Sequence, residues 1–485
     1  MREYDSFYIG GTWVRPSGET PPIAVISPTD EQSFSTVPSA GPADVDRAVA
    51  AARGALTAPE WAGLTAEHRA ALLERLADEL QKNLADRAAL TTRQNGMPIA
   101  VATFAEGSGP VGLLRYYAAL ARTIAFEELR PRADGLGDTL VRRQPVGVVA
   151  AIVPWNFPQA LTMAKVAPAL AAGCTVVLKP APETSLDAFE LAAAAERAGL
   201  PAGVLNVVTG GVDAGEHLVA HPGVDKVAFT GSTAAGRRIG EVCGRLLRPV
   251  TLELGGKSAA IVLDDADLAD TITGLATGSL LNNGQTCYLS TRILAPHSRY
   301  REVVDAVAGL ANALTVGDPM DPATHVGPLV SRRQRDRVES YIAAGKASGA
   351  RVAAGGGRPD REQGWFVQPT VFADSDNTSV IAREEIFGPV LTVIPYGDID
   401  EAVAIANDSE YGLGGTIWTS DPEKGVELAR RVETGSIGVN FYNLDIGAPF
   451  GGVKASGLGR EFGPEGLNAY VELKSIYLSP RGTAR

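Results

Sequence analysis

The feature that most constrains the fold is an alternation running from Val146 to Gly256. Short apolar runs (VGVVAAIVPWN, CTVVLKPAPE, VLNVVTGG, VDKVAFTGS, VTLELGG) are separated by helical segments (LTMAKVAPALAAG, TSLDAFELAAAAERAGL, DAGEHLVAH, TAAGRRIGEVC), each bounded by Gly or Pro. Strand, helix, strand repeated in this way predicts right-handed crossovers and a parallel sheet with helices on both faces, an α/β fold. Thr184 and Asp187 stand at the spacing of a capping box for the second helix. The carboxyl ends of the runs hold Trp155-Asn156-Phe157-Pro158, Lys179 to Glu183, Thr209-Gly210-Gly211, Thr230-Gly231-Ser232 and Glu253 to Gly256. Ligands of open parallel sheets bind outside those ends. An amide, a lysine, glycines, a hydroxyl and a carboxylate there predict a cofactor site along that edge.

The chain's 485 residues are enough for two or three domains. Upstream, Leu72, Leu73, Leu76, Leu80 and Leu84 line one stripe and predict a helix over 61–96, stopped by Gly96 and Pro98. No repeat or linker-like run appears, so the domains are expected to interleave. The net charge of −12 repels phosphate backbones and anionic lipid heads, which argues against nucleic acid and membrane partners. Cys174, Cys243 and Cys287 are odd in number and widely spaced, fitting a reducing compartment. The start, MREYDSFYIGG, lacks the apolar region of a signal peptide. The most apolar window, Ala160 to Leu178, is broken by Lys165, Pro168 and Gly173. The expectation is a soluble, cytoplasmic protein.

Two glycine motifs mislead. Gly107-Ser-Gly109-Pro-Val-Gly112 matches the dinucleotide fingerprint but follows no strand, so it reads as a loop between helices. Gly255-Gly256-Lys257-Ser258 resembles the end of a P-loop, but the earlier glycine is replaced by Thr251. Thr230-Gly231-Ser232 is the better phosphate site, since a strand ends and a helix begins there with free amides; an ordinary cap on Ser232 is the plainer reading. Cys287 lies on a polar glycine-bearing turn, where nearby amides would favour its thiolate. Cys174 and Cys243 read as core filler. His217 and His221 share a helix face but lack further ligands, so they read as solvent-facing and no metal is expected.

Together Glu253-Leu-Gly-Gly-Lys257, Gly284-Gln-Thr-Cys287, Trp155-Asn156-Phe157-Pro158, Phe229-Thr-Gly-Ser-Thr233, Glu384-Glu385-Ile-Phe387-Gly-Pro389 and Pro449-Phe450-Gly451-Gly452 resemble the aldehyde dehydrogenase superfamily, from about Tyr8 to Tyr477. The resemblance implies NAD or NADP as cofactor and an aldehyde as substrate. It also implies that Cys287 attacks the aldehyde carbon, that the Asn156 amide and the Cys287 N–H hold the resulting oxyanion, and that Glu253 activates water against the thioester. Lys165 and Glu461 match a pair thought to relay protons, although a lysine on such a helix is commonly solvated. Lys179 is implied at the adenosine ribose, Ser232 at the pyrophosphate, Glu385 at the nicotinamide ribose and Phe387 by the ring. Ile152, Pro154, Trp155, Pro182, Glu183, Gly211, Phe229, Gly231, Leu254 and Gly255 complete the implied cofactor surface.

The implied fold is a Rossmann-like parallel-sheet cofactor domain (1–122, 145–254 and 449–470), an α/β catalytic domain (255–448) and a small β oligomerisation segment (123–144, with strand and tail 471–485). It pairs subunits as homodimer or homotetramer. Around the thiol the resemblance sets Phe157, Leu161, Ala164, Leu281, Thr286, Tyr288, Tyr442 and Phe450, none charged, which favours a neutral apolar aldehyde. Pro182 stands where NAD-preferring members often carry a glutamate, so NADP is expected to be tolerated. A CoA-acylating relative usually lacks the hydrolytic glutamate, and a silent binding protein would not need Cys287, Glu253 and Asn156 together.

Overall fold

A computed structural model describes residues 4–479. Five strands and four helices realise the alternation: β1 (Val148–Ile152), α1 (Pro158–Ala172), β2 (Thr175–Lys179), α2 (Leu186–Arg197), β3 (Leu205–Val207), α3 (Val212–Ala220), β4 (Lys226–Thr230), α4 (Thr233–Arg245) and β5 (Val250–Glu253). The strands pair in parallel in the order 3-2-1-4-5, with antiparallel edges from Phe7–Ile9 and Thr12–Val14 beside β3 and from Gly457–Leu458 beside β5. Side chains alternate along each strand. Val149 and Ala151 face the core under α1 and α2, whereas Val148, Ala150 and Ile152 face the core under α3 and α4. This order reverses direction between β1 and β4, and a crevice opens at such a switch point.

A second, seven-stranded sheet starts at Ser258–Val262, directly after β5, and ends at Gly438–Val439. A third, antiparallel sheet joins Glu127–Pro131, Asp138–Pro145 and Val471–Tyr477. The tail beyond residue 479 lies outside the described residues. No helix among the described residues is long and apolar enough to cross a membrane.

Three local expectations are corrected. Residues 61–96 are not one helix but Pro59–Ala62, Ala66–Lys82 and Leu84–Asn95, because Thr65 caps the second through its side chain and Asn83 leaves helical geometry (φ −113, ψ 28). The stop at Gly96 is present, in the left-handed region at φ 85 where glycine carries no Cβ penalty. The Thr184/Asp187 capping box does not form. Asp187 instead accepts from Thr91 and Gln94 in the interior, and Ser185 begins α2 without a side-chain cap. Finally, residues 107–112 are helical rather than a loop: a π turn, Thr103–Ser108, runs straight into Gly109–Thr123.

Candidate active site

The turns that follow β1, β4 and β5 converge on one cavity of about 650 Å³. Pro154, Trp155 and Asn156 line it from the first turn, Gly231 and Ser232 from the β4–α4 junction, and Leu254 and Gly255 from the end of β5. The second sheet's side contributes Cys287, Glu385 and Phe387. Ten of the residues nominated from sequence thus share one wall-to-wall space. Ile152, Lys179, Pro182, Glu183, Gly211 and Phe229 follow or end strands on the same edge but do not line this cavity.

Cys287 is carried on a turn whose shape is fixed from behind. Asn282 and Asn283 are left-handed, at φ 51 and 60, a conformation Asn tolerates better than most residues. Asn283 donates to the Gly96 and Pro328 carbonyls and accepts from the Gly327 amide, while Gln285 accepts from Val330 N–H. Gly256 passes so close that a Cβ there would lie 2.4 Å from the Cys287 carbonyl oxygen. Cys287 as a whole residue is partly exposed. Contrary to the expectation of a favoured thiolate, burial and then the neighbouring Glu385 and Glu253 carboxylates push it well above the usual thiol range. Two acids outweigh the backbone amides.

The Asn156 side-chain amide donates to the Gln285 carbonyl at 3.0 Å, and the Asn156 backbone carbonyl accepts from the Asn282 side chain at 2.8 Å, so the residue is tied to the turn that bears the thiol. Glu253 ends β5, is 3 % exposed, and neither carboxylate oxygen has a hydrogen-bond partner among the described residues. Burial, reinforced by Glu461, raises it well above the usual carboxylate range against the pull of Lys165 and Arg460. Lys165 is fully buried rather than solvated. Its ammonium donates to Glu461 at 2.7 Å and to the Thr230 hydroxyl at 2.5 Å.

On the other wall, Glu385 accepts from Gly256 N–H at 3.0 Å, and burial pushes it up to about 7. The Trp155 and Phe387 rings meet edge-on at 5.3 Å. Ser232 accepts from Ala235 N–H at 3.3 Å, so the capping reading of this serine is present in the structure. Lys179 is buried, donates to the Pro180 carbonyl at 3.1 Å and is pulled down to about 8 by burial. Sequence reasoning missed Arg333, Gln334, Arg337 and Tyr411, which also line the cavity. The basic run from Arg332 to Arg337 was the available signal. Arg333 stands 3.7 Å from Glu183, and Arg337 donates to the Glu385 carbonyl at 2.6 Å.

The residues nominated for the aldehyde do not form one group. Tyr288 packs on Tyr442 (4.9 Å) and on Phe450 (6.2 Å), and Ala164 shares the main core with Phe450. Phe157, Leu161 and Leu281 belong to a separate cluster with Ala88, Met97 and Ala102. Thr286 turns its hydroxyl to the Leu281 carbonyl. A second cavity of about 240 Å³ is lined by Phe441, Tyr442, Leu444 and Phe450 and carries a charge, Asp445, that the sequence reading did not include. His217 and His221 are not simply solvent-facing: both reach Asp46, at 2.6 and 3.4 Å. Cys174 and Cys243 are buried, as expected of core filler.

Doubly wound strands with a ligand cleft at their switch point define the class to which the molecule belongs, an α/β protein that holds a ligand at its sheet edge. The chain belongs to the aldehyde dehydrogenase family, whose model matches residues 13–476. It is 57 % identical over 476 residues to the geranial dehydrogenase of Castellaniella defragrans, covering 98 % of this chain and 99 % of that one. Its structure matches that of a Mycobacterium tuberculosis aldehyde dehydrogenase complexed with NAD+ (TM-score 0.97, 47 % identity, 99 % of each chain). It also matches a mutant of aldehyde dehydrogenase C from Pseudomonas syringae, in complex with NAD+ and octanal (TM-score 0.94, 39 % identity, 99 % and 98 % covered).

Proposed function

We propose that this enzyme oxidises a neutral apolar aldehyde, terpenoid or medium-chain, to its carboxylic acid with NAD or NADP, through a thioester on Cys287 that water hydrolyses. The observation that carries the reading is Glu253. A buried carboxylate with two unpartnered oxygens and a raised pKa, close enough to disfavour the Cys287 thiolate, is a base waiting for a water. In this reading Cys287 forms the C–S bond, Asn156 turns its amide from the Gln285 carbonyl toward the oxyanion, and Glu253 takes the proton of the hydrolytic water. Behind it the Glu461 carboxylate, held by the Lys165 ammonium, is the group that receives that proton.

The cleft fits a nicotinamide dinucleotide. The N-terminus of α4 presents amides suited to a pyrophosphate, Glu385 offers a carboxylate suited to ribose hydroxyls, and Trp155 and Phe387 supply flat apolar surface. When bound, the cofactor accepts the hydride. Proteins similar to this chain include one named for geranial and one solved with octanal, both apolar aldehydes, which supports the substrate class. We also assign subunit pairing, as homodimer or homotetramer, to the three-stranded sheet, which leaves Leu129, Leu473 and Tyr477 exposed. The domain division from sequence fits this reading, with the cofactor sheet on one side of the cleft and the sheet beginning at Ser258 on the other.

The test is formation of reduced nicotinamide with a panel of aldehydes, with and without CoA. Turnover with geranial or octanal without CoA is expected. Strict dependence on CoA would replace hydrolysis by acyl transfer.

A further inference from the structure

We propose that Glu106 is a positioning residue that holds the Asn156 amide in register by closing the N-terminus of α1 from another element. The inference rests on the reading of Asn156 as the oxyanion donor. Helix α1 begins with Pro158, which has no N–H, and the preceding Phe157 offers no capping side chain because its ring packs with Met97 and Ala102. The first free amides are those of Gln159 and Ala160. Both point at the Glu106 carboxylate, at 2.6 Å to Oε2 and 3.4 Å to Oε1. The local cap position is spent on the apolar cluster, so the cap comes from a residue 53 positions before Gln159.

The π turn Thr103–Ser108 makes this reach. A wide turn holds one more residue than an α turn and rotates the chain beyond it, and here it places Glu106 in the interior, fully buried, while Phe104 stays exposed. Arg87 braces the turn by donating to the Glu106 carbonyl at 3.1 Å and the Gly107 carbonyl at 2.6 Å, and it also reaches the Gln159 side chain. Gln159 in turn donates to Thr91 at 2.8 Å and to Asp187 at 3.2 Å. On the other side of Asn156, Asn95 holds the Trp155 carbonyl at 2.7 Å and Asn282 holds the Asn156 carbonyl at 2.8 Å. Residues 155–160 are thus pinned at both ends, and Asn156 lies between the pins. An uncompensated buried carboxylate is costly, so a glutamate at this place is matched to the two amides it accepts from and to the Arg87 guanidinium nearby.

The test is a double-mutant cycle on the single-turnover burst of reduced nicotinamide, with coenzyme affinity measured in parallel. Asn156→Ala is expected to slow acylation about a hundredfold or more. Glu106→Gln, which keeps shape but removes the charge, is expected to slow it about tenfold with coenzyme affinity unchanged. The double variant is then no slower than Asn156→Ala alone, because Glu106 acts only through Asn156. Asp187→Asn, a change in the same polar network that leaves the α1 amides alone, acylates as the parent does. Should Glu106→Gln not fold, Glu106→Asp carries the same cycle with a smaller drop. Additive losses in the double variant, a parent-like rate in the Glu106 variant, or an equal loss in Asp187→Asn would overturn the inference. A parent-like rate in Asn156→Ala would instead overturn the reading of Asn156 on which it rests.

Discussion

On the proposed reading Cys287 and Glu253 divide the chemistry, and removing either stops it at a different point. With Cys287→Ala no C–S bond can form, so aldehyde oxidation is abolished while coenzyme binding, carried by the sheet edge, survives; titration calorimetry with NAD alongside an activity assay checks both. Glu253→Gln leaves acylation largely competent and stalls hydrolysis, so one equivalent of reduced nicotinamide appears and steady turnover does not. Unimpaired steady turnover would assign the water to another group. The pH dependence comes from the same pair. Both groups work deprotonated, and burial raises both, so activity is lost as pH falls and recovers as pH rises through the raised values. The profile of kcat across roughly pH 6 to 10 should climb in the parent enzyme, whereas the burst rate of Glu253→Gln, which needs no hydrolytic base, should keep only the dependence that belongs to Cys287. Motif residues of this kind could be nominated from sequence because they stand at a strand end or on a turn. Arg333, Arg337 and Glu106 were not, since a surface-looking basic run and a lone glutamate reveal their use only when distant elements pack.

At the scale of elements, helix α1 is tied to the segment beyond the second sheet through Lys165 and Glu461, 0 % and 3 % exposed. Breaking one half of a buried pair leaves an uncompensated charge, at a cost of about 3 to 5 kcal/mol, whereas removing both halves costs much less. Lys165→Met is therefore expected to lower the thermal midpoint more than the double variant Lys165→Met, Glu461→Gln. A double variant as unstable as the single one would show that the pair does not act as a unit. The alternation β1 to β5 was read correctly from sequence because its buried parallel strands are mostly apolar and their ends are marked by Gly, Pro and polar residues. The capping box failed for a different reason. Its spacing was right, but Asp187 gains more from Thr91, Gln94 and Gln159 in the interior than from the start of its own helix. Likewise the leucine stripe from Leu72 to Leu84 continues across the break at Asn83, because a stripe records which side faces the core and not whether the helix is continuous.

At the scale of the whole molecule, the cleft lies between two sheets, and on the proposed reading its two ends set the two specificities. At the adenosine end Pro182 leaves no carboxylate one residue before Glu183, and Glu183 faces Arg333 at 3.7 Å. A partly neutralised carboxylate repels a 2′-phosphate less, so NADP should be used alongside NAD, and an NAD preference in kcat/KM above about a thousandfold, over 4 kcal/mol, would refute this. At the proposed aldehyde end the aromatic group of Tyr288, Tyr442 and Phe450 offers apolar surface beside the thiol's turn, while Phe157, Leu161 and Leu281 form a separate apolar group with Met97. That division was illegible in the sequence, since the nominated residues come from three separate stretches of chain and only packing sorts them. An apolar chain laid against the aromatic group gains about 0.8 kcal/mol per buried methylene, close to fourfold in kcat/KM at each step. From acetaldehyde through butanal and hexanal to octanal, kcat/KM should therefore rise steeply and then level once the chain outgrows the surface. Succinic semialdehyde should fall below butanal, because its carboxylate would be desolvated against aromatic rings and meet Asp445 at the second cavity. A flat series, or a semialdehyde that outruns its neutral counterpart, would place the substrate elsewhere in the cleft.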